Sequence, residues 1–228
     1  MIVVLDGPAG AGKSSVSKRL AKALGVSFMD TGAMYRAFTW RAMDKGLDLT
    51  DVPALVRCTN EGRLEMTLEK VTMDGRDITQ AIRTPEVTAN IFRLADSGPV
   101  RARLNEQQRA LAVKLKDFVA EGRDLGTVVF PDADVKIYLD ASPDVRARRR
   151  LLELKKPETE LAALRREIEE RDRKDMVREV APLKRAEDAV AVDTSALALE
   201  QVVSKLEQIV RERVPGWKVR PAPAGGKP

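Results

Sequence analysis

The stretch GPAGAGKSS at residues 7–15 places three glycines, a lysine and two serine hydroxyls directly behind the apolar run IVVL at residues 2–5. It fits G-x-x-x-x-G-K-[ST], with Gly7, Gly12, Lys13 and Ser14 at the fixed positions. Glycine lets main-chain N–H groups turn inward with no Cβ in the way, which makes a concave nest for an anion. A helix starting there aims the positive end of its dipole at the same point. The Lys13 ammonium suits the β- and γ-phosphates and the Ser14 hydroxyl suits Mg²⁺. The chemistry implied is that of a nucleoside triphosphate site, its cradle formed by Gly7, Pro8, Ala9, Gly10, Ala11, Gly12, Lys13, Ser14 and Ser15.

A cradle does not say where the phosphate goes. The sequence carries no convincing N/T-K-x-D guanine signature or D-x-x-G switch, which argues against a GTPase. It offers instead a set of arginines: Arg36 in DTGAMYR, Arg101, Arg123 in EGRD, Arg146, Arg149 and Arg150 in RARRR, and Arg171, Arg173 and Arg178 further on. Phosphoryl transfer between two nucleotides brings two polyanions together, so cations must relieve the repulsion and follow the charge into the transition state. A flap must also exclude water. The acceptor is therefore expected to be anionic itself, and a nucleoside monophosphate fits.

The elements that must position these groups alternate between strand and helix. IVVL reads as a buried parallel strand and SSVSKRLAKALG as a helix stopped at Gly25. VSFMDTG reads as a second strand and YRAFTWRAMDKG as a helix ending near Gly46. LEMTLEKVTMDGRDIT changes to strand-type alternation around the turn Asp74-Gly75, which marks a small inserted β element. Helix is expected from Thr84 to about Lys116, and strands in FVAEGRDLGTVVF, VKIYLDAS and AVAVDTS, the last followed by a helix carrying Val202, Leu206 and Val210. The weakly apolar, highly charged segment from Pro143 to Val180 is expected to be helical and to pack poorly, as a mobile flap does. The fold class is thus α/β, with a parallel sheet covered by helices on both faces and the polar loops at its carboxyl edge converging on the ligand. The expected domains are a core of residues 1–30, 101–145 and 181–214, an inserted lobe over about 31–100, a lid over about 146–180, and a flexible tail at 215–228.

Composition narrows the classes. The chain has 228 residues, 43% apolar and 33% charged, with a formal net charge of +5, as an ordinary globular domain would. No run approaches a membrane span, and the apolar start, broken by Asp6, does not read as a signal peptide. A single cysteine, Cys58, precludes an internal disulfide and points to a reducing cytoplasm. The absence of histidine removes Ser-His-Asp hydrolases. The positive charge is accounted for by polyphosphate ligands, and no nucleic-acid motif accompanies it.

DGPAGAGKSS, DTGAMYR, IRTPEV, EGRDLGTVVFPDADVKIYLDAS and ERDRKD…APL, in this order and spacing, resemble the bacterial cytidylate (CMP) kinase family from Ile2 to about Val214. The resemblance implies a P-loop kinase fold with a nucleoside monophosphate-binding lobe and an arginine-rich helical lid. It implies ATP and Mg²⁺ as co-substrate and metal, CMP and dCMP as acceptors, no nucleic-acid or membrane partner, and a monomer. It assigns Thr31, Arg36 and Arg123 to the CMP phosphate, Asp124 and Arg101 to the cytosine, and Asp175 and Arg178 to the sugar and neighbouring phosphate. Arg149 and Arg150, with Arg171 or Arg173, would close over the transferring group. Asp6 and Asp124 are further candidates to assist Mg²⁺. Where relatives often place a serine near the base, this chain has Phe92, which either packs or faces the base and weakens rejection of UMP. A kinase for UMP, or a nucleotide-regulated RNA-binding protein, are the competing readings.

Overall fold

The computed structural model describes residues 1–217; the tail expected at 215–228 lies outside the described residues from 218 on. The chain divides into two compact units, the first made of Met1–Met29 with the chain from Leu115 onward, the second of Asp30–Lys114.

In the first unit, β1 (Ile2–Asp6) runs into the glycine-rich loop and then α1 (Lys13–Leu24). Gly25 takes the left-handed conformation with φ 66°, and its N–H closes on the carbonyls of Ala21 and Lys22, so the helix stops where the glycine requires it. The strand β2 (Ser27–Asp30) follows, at the junction between the units. The second unit begins with α2 (Thr31–Asp44) and α3 (Val52–Glu61), then the short strands β3 (Leu64–Met66), β4 (Val71–Met73) and β5 (Arg76–Asp77). These form an antiparallel three-stranded sheet. Its tightest turn is Asp74-Gly75, both at positive φ (53° and 81°), as a twisted two-residue hairpin demands.

The helices α4 (Pro85–Ala95) and α5 (Gly98–Leu115) complete that unit. It therefore extends to Lys114, past the boundary near residue 100 expected from composition, because α5 buries Val100 and Leu104 in the same core as Phe38, Met73 and Ile82.

The chain returns to the first unit with β6 (Phe118–Glu121), β7 (Val135–Asp140), α6 (Pro143–Leu154), α7 (Leu161–Val177), β8 (Val190–Asp193) and α8 (Leu199–Arg213). The large sheet has the order β2-β6-β1-β7-β8. The pairs of β1 with β6 and β7, and of β7 with β8, are parallel. Leu5 lies beside Glu121 and Asp6 beside Tyr138, so the loops leaving β1, β6 and β7 emerge at one edge. The core on this sheet packs Val3, Leu5, Val119 and Ile137 against Leu20 and Leu24 of α1 and Val202, Leu206 and Val210 of α8.

Two expectations are corrected. The strand expected in FVAEGRDLGTVVF ends at Glu121, and residues 125–129 wind into a wide helical turn instead. The segment expected to be helical and poorly packed is helical, as α6 and α7, but it buries Ala147, Leu164 and Ile168 together with a charged pair, Arg146 and Asp172. Its low apolar content is compensated by pairing the charges that it buries. Among the described residues, no helix is long and apolar enough to cross a membrane.

Candidate functional site

The loop between β1 and α1 has Gly7, Gly10 and Gly12 at φ 148°, 74° and 89°, backbone that side-chain-bearing residues rarely adopt. Gly12 stands at the N-cap, and its carbonyl accepts the first helical hydrogen bond from Val16 N at 3.0 Å. Lys13 folds back over the loop and donates to the carbonyls of Gly7 and Pro8, each at 2.7 Å. It is buried, and its ammonium is held well below the ordinary lysine range by loss of solvent first and by the positive charge of Arg123 next. Glu121 and Asp6 oppose that shift and Arg171 adds to it. Lys13 thus feels the charge of two arginines and of two carboxylates.

Ser14 is half-buried in the first turn of α1 and Ser15 is exposed. Among the described residues no group of three or more His, Cys, Asp or Glu could hold a metal ion. One hydroxyl at an anion cradle nevertheless suits Mg²⁺, which keeps several waters and takes its remaining ligands from phosphates. Asp6 is already engaged: its two oxygens accept the N–H groups of Leu125 at 2.9 Å and Gly126 at 2.8 Å. Burial pushes its carboxyl up to about 6, against the pull of those two N–H groups.

Behind β6, Arg123, Asp124, Asp175 and Arg178 form an alternating cluster. Arg123 Nε donates to Asp175 Oδ2 at 3.1 Å. Arg178 lies 3.5 Å from Asp124 Oδ1 and 3.7 Å from Asp175 Oδ1, and its Nε donates to the Ala181 carbonyl at 2.6 Å. These residues come from the end of a strand and the end of α7, and each cation is held in place by a carboxylate. Asp124 and Arg178 are buried at a carboxyl edge where solvated charges would be the ordinary outcome.

The arginines of α6 and α7 separate. Arg149 donates to Thr194 Oγ1 at 2.9 Å and to the Thr194 and Ala11 carbonyls at 2.7 and 3.3 Å, and burial lowers its pKa. It therefore ties the cradle to the loop after β8. Arg150 pairs with Glu153 on its own helix at 2.9 Å. Arg171 acts electrostatically on Lys13, whereas Arg173 is exposed and forked on Glu170 at 2.8–3.0 Å. Two residues apart on a helix they cannot share a face, and of the two it is Arg171 whose charge acts on Lys13.

In the second unit, the Asp30 side chain caps α2 by accepting from Ala33 N at 2.8 Å, which buries Thr31 in the first turn. Arg36 donates to Thr88 Oγ1 of α4 at 2.7 Å. Arg101 is buried, donates to the Ala95 carbonyl at 3.0 Å and lies over the Tyr35 ring at 5.4 Å. Phe92 does not pack inward: it is 43% exposed, with the Arg93 guanidinium 4.8 Å from its ring centroid.

The sequence reading missed the buried pair Arg146–Asp172, which touches the cradle backbone, and the bracing role of Asp6. RDR at residues 171–173 carried the only local signal, an acid between two basic residues.

Residues 3–212 match the family described as Cytidylate kinase. The chain is 47% identical over 224 residues to a bifunctional pantoate ligase/cytidylate kinase of Prochlorococcus marinus (strain MIT 9303), a match covering 94% of this chain and 45% of that protein. The protein of the same description from Synechococcus sp. (strain WH7803) is 47% identical over 234 residues, covering 98% and 47%. The chain spans about half the length of the curated relatives it matches. Among solved structures, a Thermus thermophilus protein superposes with TM-score 0.51 at 18% identity, covering 93% of this chain and 97% of its own. An uncharacterised Eubacterium ventriosum protein gives 0.52 at 9% identity, covering 92% and 98%. Both share the fold.

Proposed function

The chain belongs to the cytidylate kinase family, and from that premise we propose that it transfers the γ-phosphate of ATP to CMP, and to dCMP, by direct in-line transfer. The observation that carries this reading is the main-chain nest itself, with Gly7, Gly10 and Gly12 at positive φ and the Lys13 ammonium folded onto the Gly7 and Pro8 carbonyls at 2.7 Å. On binding, the Lys13 ammonium exchanges the carbonyls of Gly7 and Pro8 for phosphate oxygens, and the cations that destabilise it in the free protein then share a counter-charge. The N–H groups of residues 7–15 hold the rest of the polyphosphate. Ser14 would hold Mg²⁺, which supplies charge neutralisation between the phosphates.

Arg123, with Thr31 and Arg36 of the second unit, is assigned to the acceptor phosphate, and Asp175 and Arg178 to its sugar side. Arg149 and Arg171 neutralise the group in transfer. Arg150 and Arg173 pair within their own helices and would have to leave Glu153 and Glu170 to join them. No general base is required, because the acceptor phosphate is already nucleophilic.

The base preference follows from Asp124, with Arg101. A carboxylate accepts from the cytosine N4 amino group and a guanidinium donates to N3 and O2. Uracil would present a carbonyl to Asp124, leaving two acceptors facing each other at a cost of roughly 1–3 kcal/mol or more. An ADP-release assay across CMP, dCMP, UMP and AMP tests this reading. We expect CMP and dCMP to exceed UMP at least about tenfold in kcat/KM. ADP release with UMP or AMP equal to that with CMP refutes it.

A further inference from the structure

The backbone of the anion loop is held from behind by the two lid helices. Asp172 of α7 accepts from the Ala9 N–H through Oδ1 at 2.8 Å and pairs through Oδ2 with Arg146 of α6. Arg146 in turn donates to the Ala9 carbonyl at 2.9 Å and, through Nε, to the Ala141 carbonyl at 2.9 Å. Both side chains are more than nine-tenths buried, and the Ala9 methyl packs beside them on Ala147 and Ile168.

These bonds fix two successive peptide planes. No peptide bond here is cis, and in a trans peptide the C=O and N–H point in opposite directions. With its N–H taken by Asp172, the Pro8–Ala9 plane turns the Pro8 carbonyl the other way, where it accepts from Lys13 at 2.7 Å. With its C=O taken by Arg146, the Ala9–Gly10 plane turns the Gly10 N–H away from the lid helices, into the concave side of the loop. A free glycine-rich loop samples many such orientations. Here the fit is close as well as polar: a Cβ on Gly10 would lie 3.1 Å from Arg146 Cβ.

We propose that Arg146 and Asp172 are positioning residues for phosphoryl transfer, a buried ion pair that aims the Gly10 N–H and sets the resting place of Lys13 without either side chain touching a nucleotide. The inference rests on the reading of this loop as the ATP cradle. Both residues lie on the helices that also carry Arg149, Arg171 and Asp175, with Arg178 at the C-cap of α7, so the same pair links the backbone holding the donor to the elements gripping the transferring group and the acceptor.

The test uses the full chain with Arg146→Lys, Arg146→Ala and Asp172→Asn, assayed below their melting midpoints. Lysine keeps the charge but lacks the planar fork that serves Ala9, Ala141 and Asp172 together. Asparagine replaces the charged acceptor of the Ala9 N–H by a weaker neutral one and loses the ion pair. The expected result is a rise in KM for ATP of about tenfold or more and a similar fall in kcat for Arg146→Ala, with partial recovery in Arg146→Lys. KM for CMP should move less than about threefold in the α6 variants. Hydrogen exchange at the Ala9 amide should quicken at least about tenfold in Asp172→Asn, a readout that stands if Arg146→Ala does not fold. A lowered melting midpoint with unchanged ATP KM, kcat and Ala9 exchange overturns the proposal and leaves a plain structural brace. Wild-type protein that binds no ATP, or Lys13→Ala with an unaltered ATP KM, instead overturns the cradle reading itself.

Discussion

Replacing Gly7 by alanine would place a Cβ 2.0 Å from the carbonyl oxygen of Leu139, at the end of β7, and 3.1 Å from its carbon. Ordinary van der Waals contact begins near 3.4 Å, so the loop and the strand end must part by roughly 1.4 Å. The obstacle is backbone within the central sheet, where β1 and β7 are paired residue by residue from Val3 to Asp6, and no side chain can swing aside. The loop must therefore carry the displacement. A shift of about 1 Å in a group that positions substrate costs on the order of 100-fold in rate, equivalent to about 2.7 kcal/mol of transition-state stabilisation. We expect kcat/KM for ATP to fall by at least that factor in Gly7→Ala, with stability lowered by about 1–3 kcal/mol from overpacking. Steady-state kinetics with saturating CMP and urea unfolding measure the two effects. Gly75→Ala is the control: its φ of 81° is also strained for alanine, but nothing lies within 4 Å of the added Cβ. It should lose about 1 kcal/mol of stability and no activity. If Gly7→Ala retains kcat/KM within threefold of wild type, close approach to Leu139 does not set the cradle.

Lys13→Ala should lower kcat/KM by at least about 100-fold, the scale of a lost phosphate clamp; turnover near the wild-type value removes Lys13 from the reaction. Asp124→Ala should raise KM for CMP about tenfold or more while the ATP constant moves less than about threefold, and equal damage to both would place the base elsewhere. Asp6 gives a pH signature: its folded carboxyl is raised to about 6 from 3.8, so the folded chain binds the proton more tightly than the unfolded one. Stability from this group is therefore greatest below about 3.8, declines as pH rises through 3.8 to 6, and is level above. Asp6→Asn lacks the proton, so relative to wild type it should gain on the order of 3 kcal/mol between pH 4 and pH 7 in urea unfolding; a difference independent of pH refutes the shift.

The parts of this molecule that were legible in its sequence are those whose cause is local. Strand, glycine loop and helix follow one another in residues 2–24, and Gly25 ends α1 because only a residue tolerant of positive φ fits there. Asp74-Gly75 reverses the chain for the same reason. Asp30 is equally local: it ends β2 and also caps α2, so the helix starts at Thr31, earlier than the YRAFTWRAMDKG reading places it.

What escaped has partners far along the chain. Residues 125–129 carry the β-branched composition of a strand, and they turn because Asp6, 119 residues earlier, captures the Leu125 N–H. The run EERDRKD has the composition of a solvated helix face, and Asp172 is buried because Ala9, 163 residues away, offers it an N–H and Arg146 a charge. A buried carboxylate needs both, since without them its desolvation would not be offset. Helical periodicity could still have divided the arginines: Arg171 and Arg173 lie about 200° apart around α7, so one position can serve an anion at the loop while the other meets Glu170 in solvent. Composition counts both as cations for a phosphate. The face on which each stands decides which charge the reaction can use.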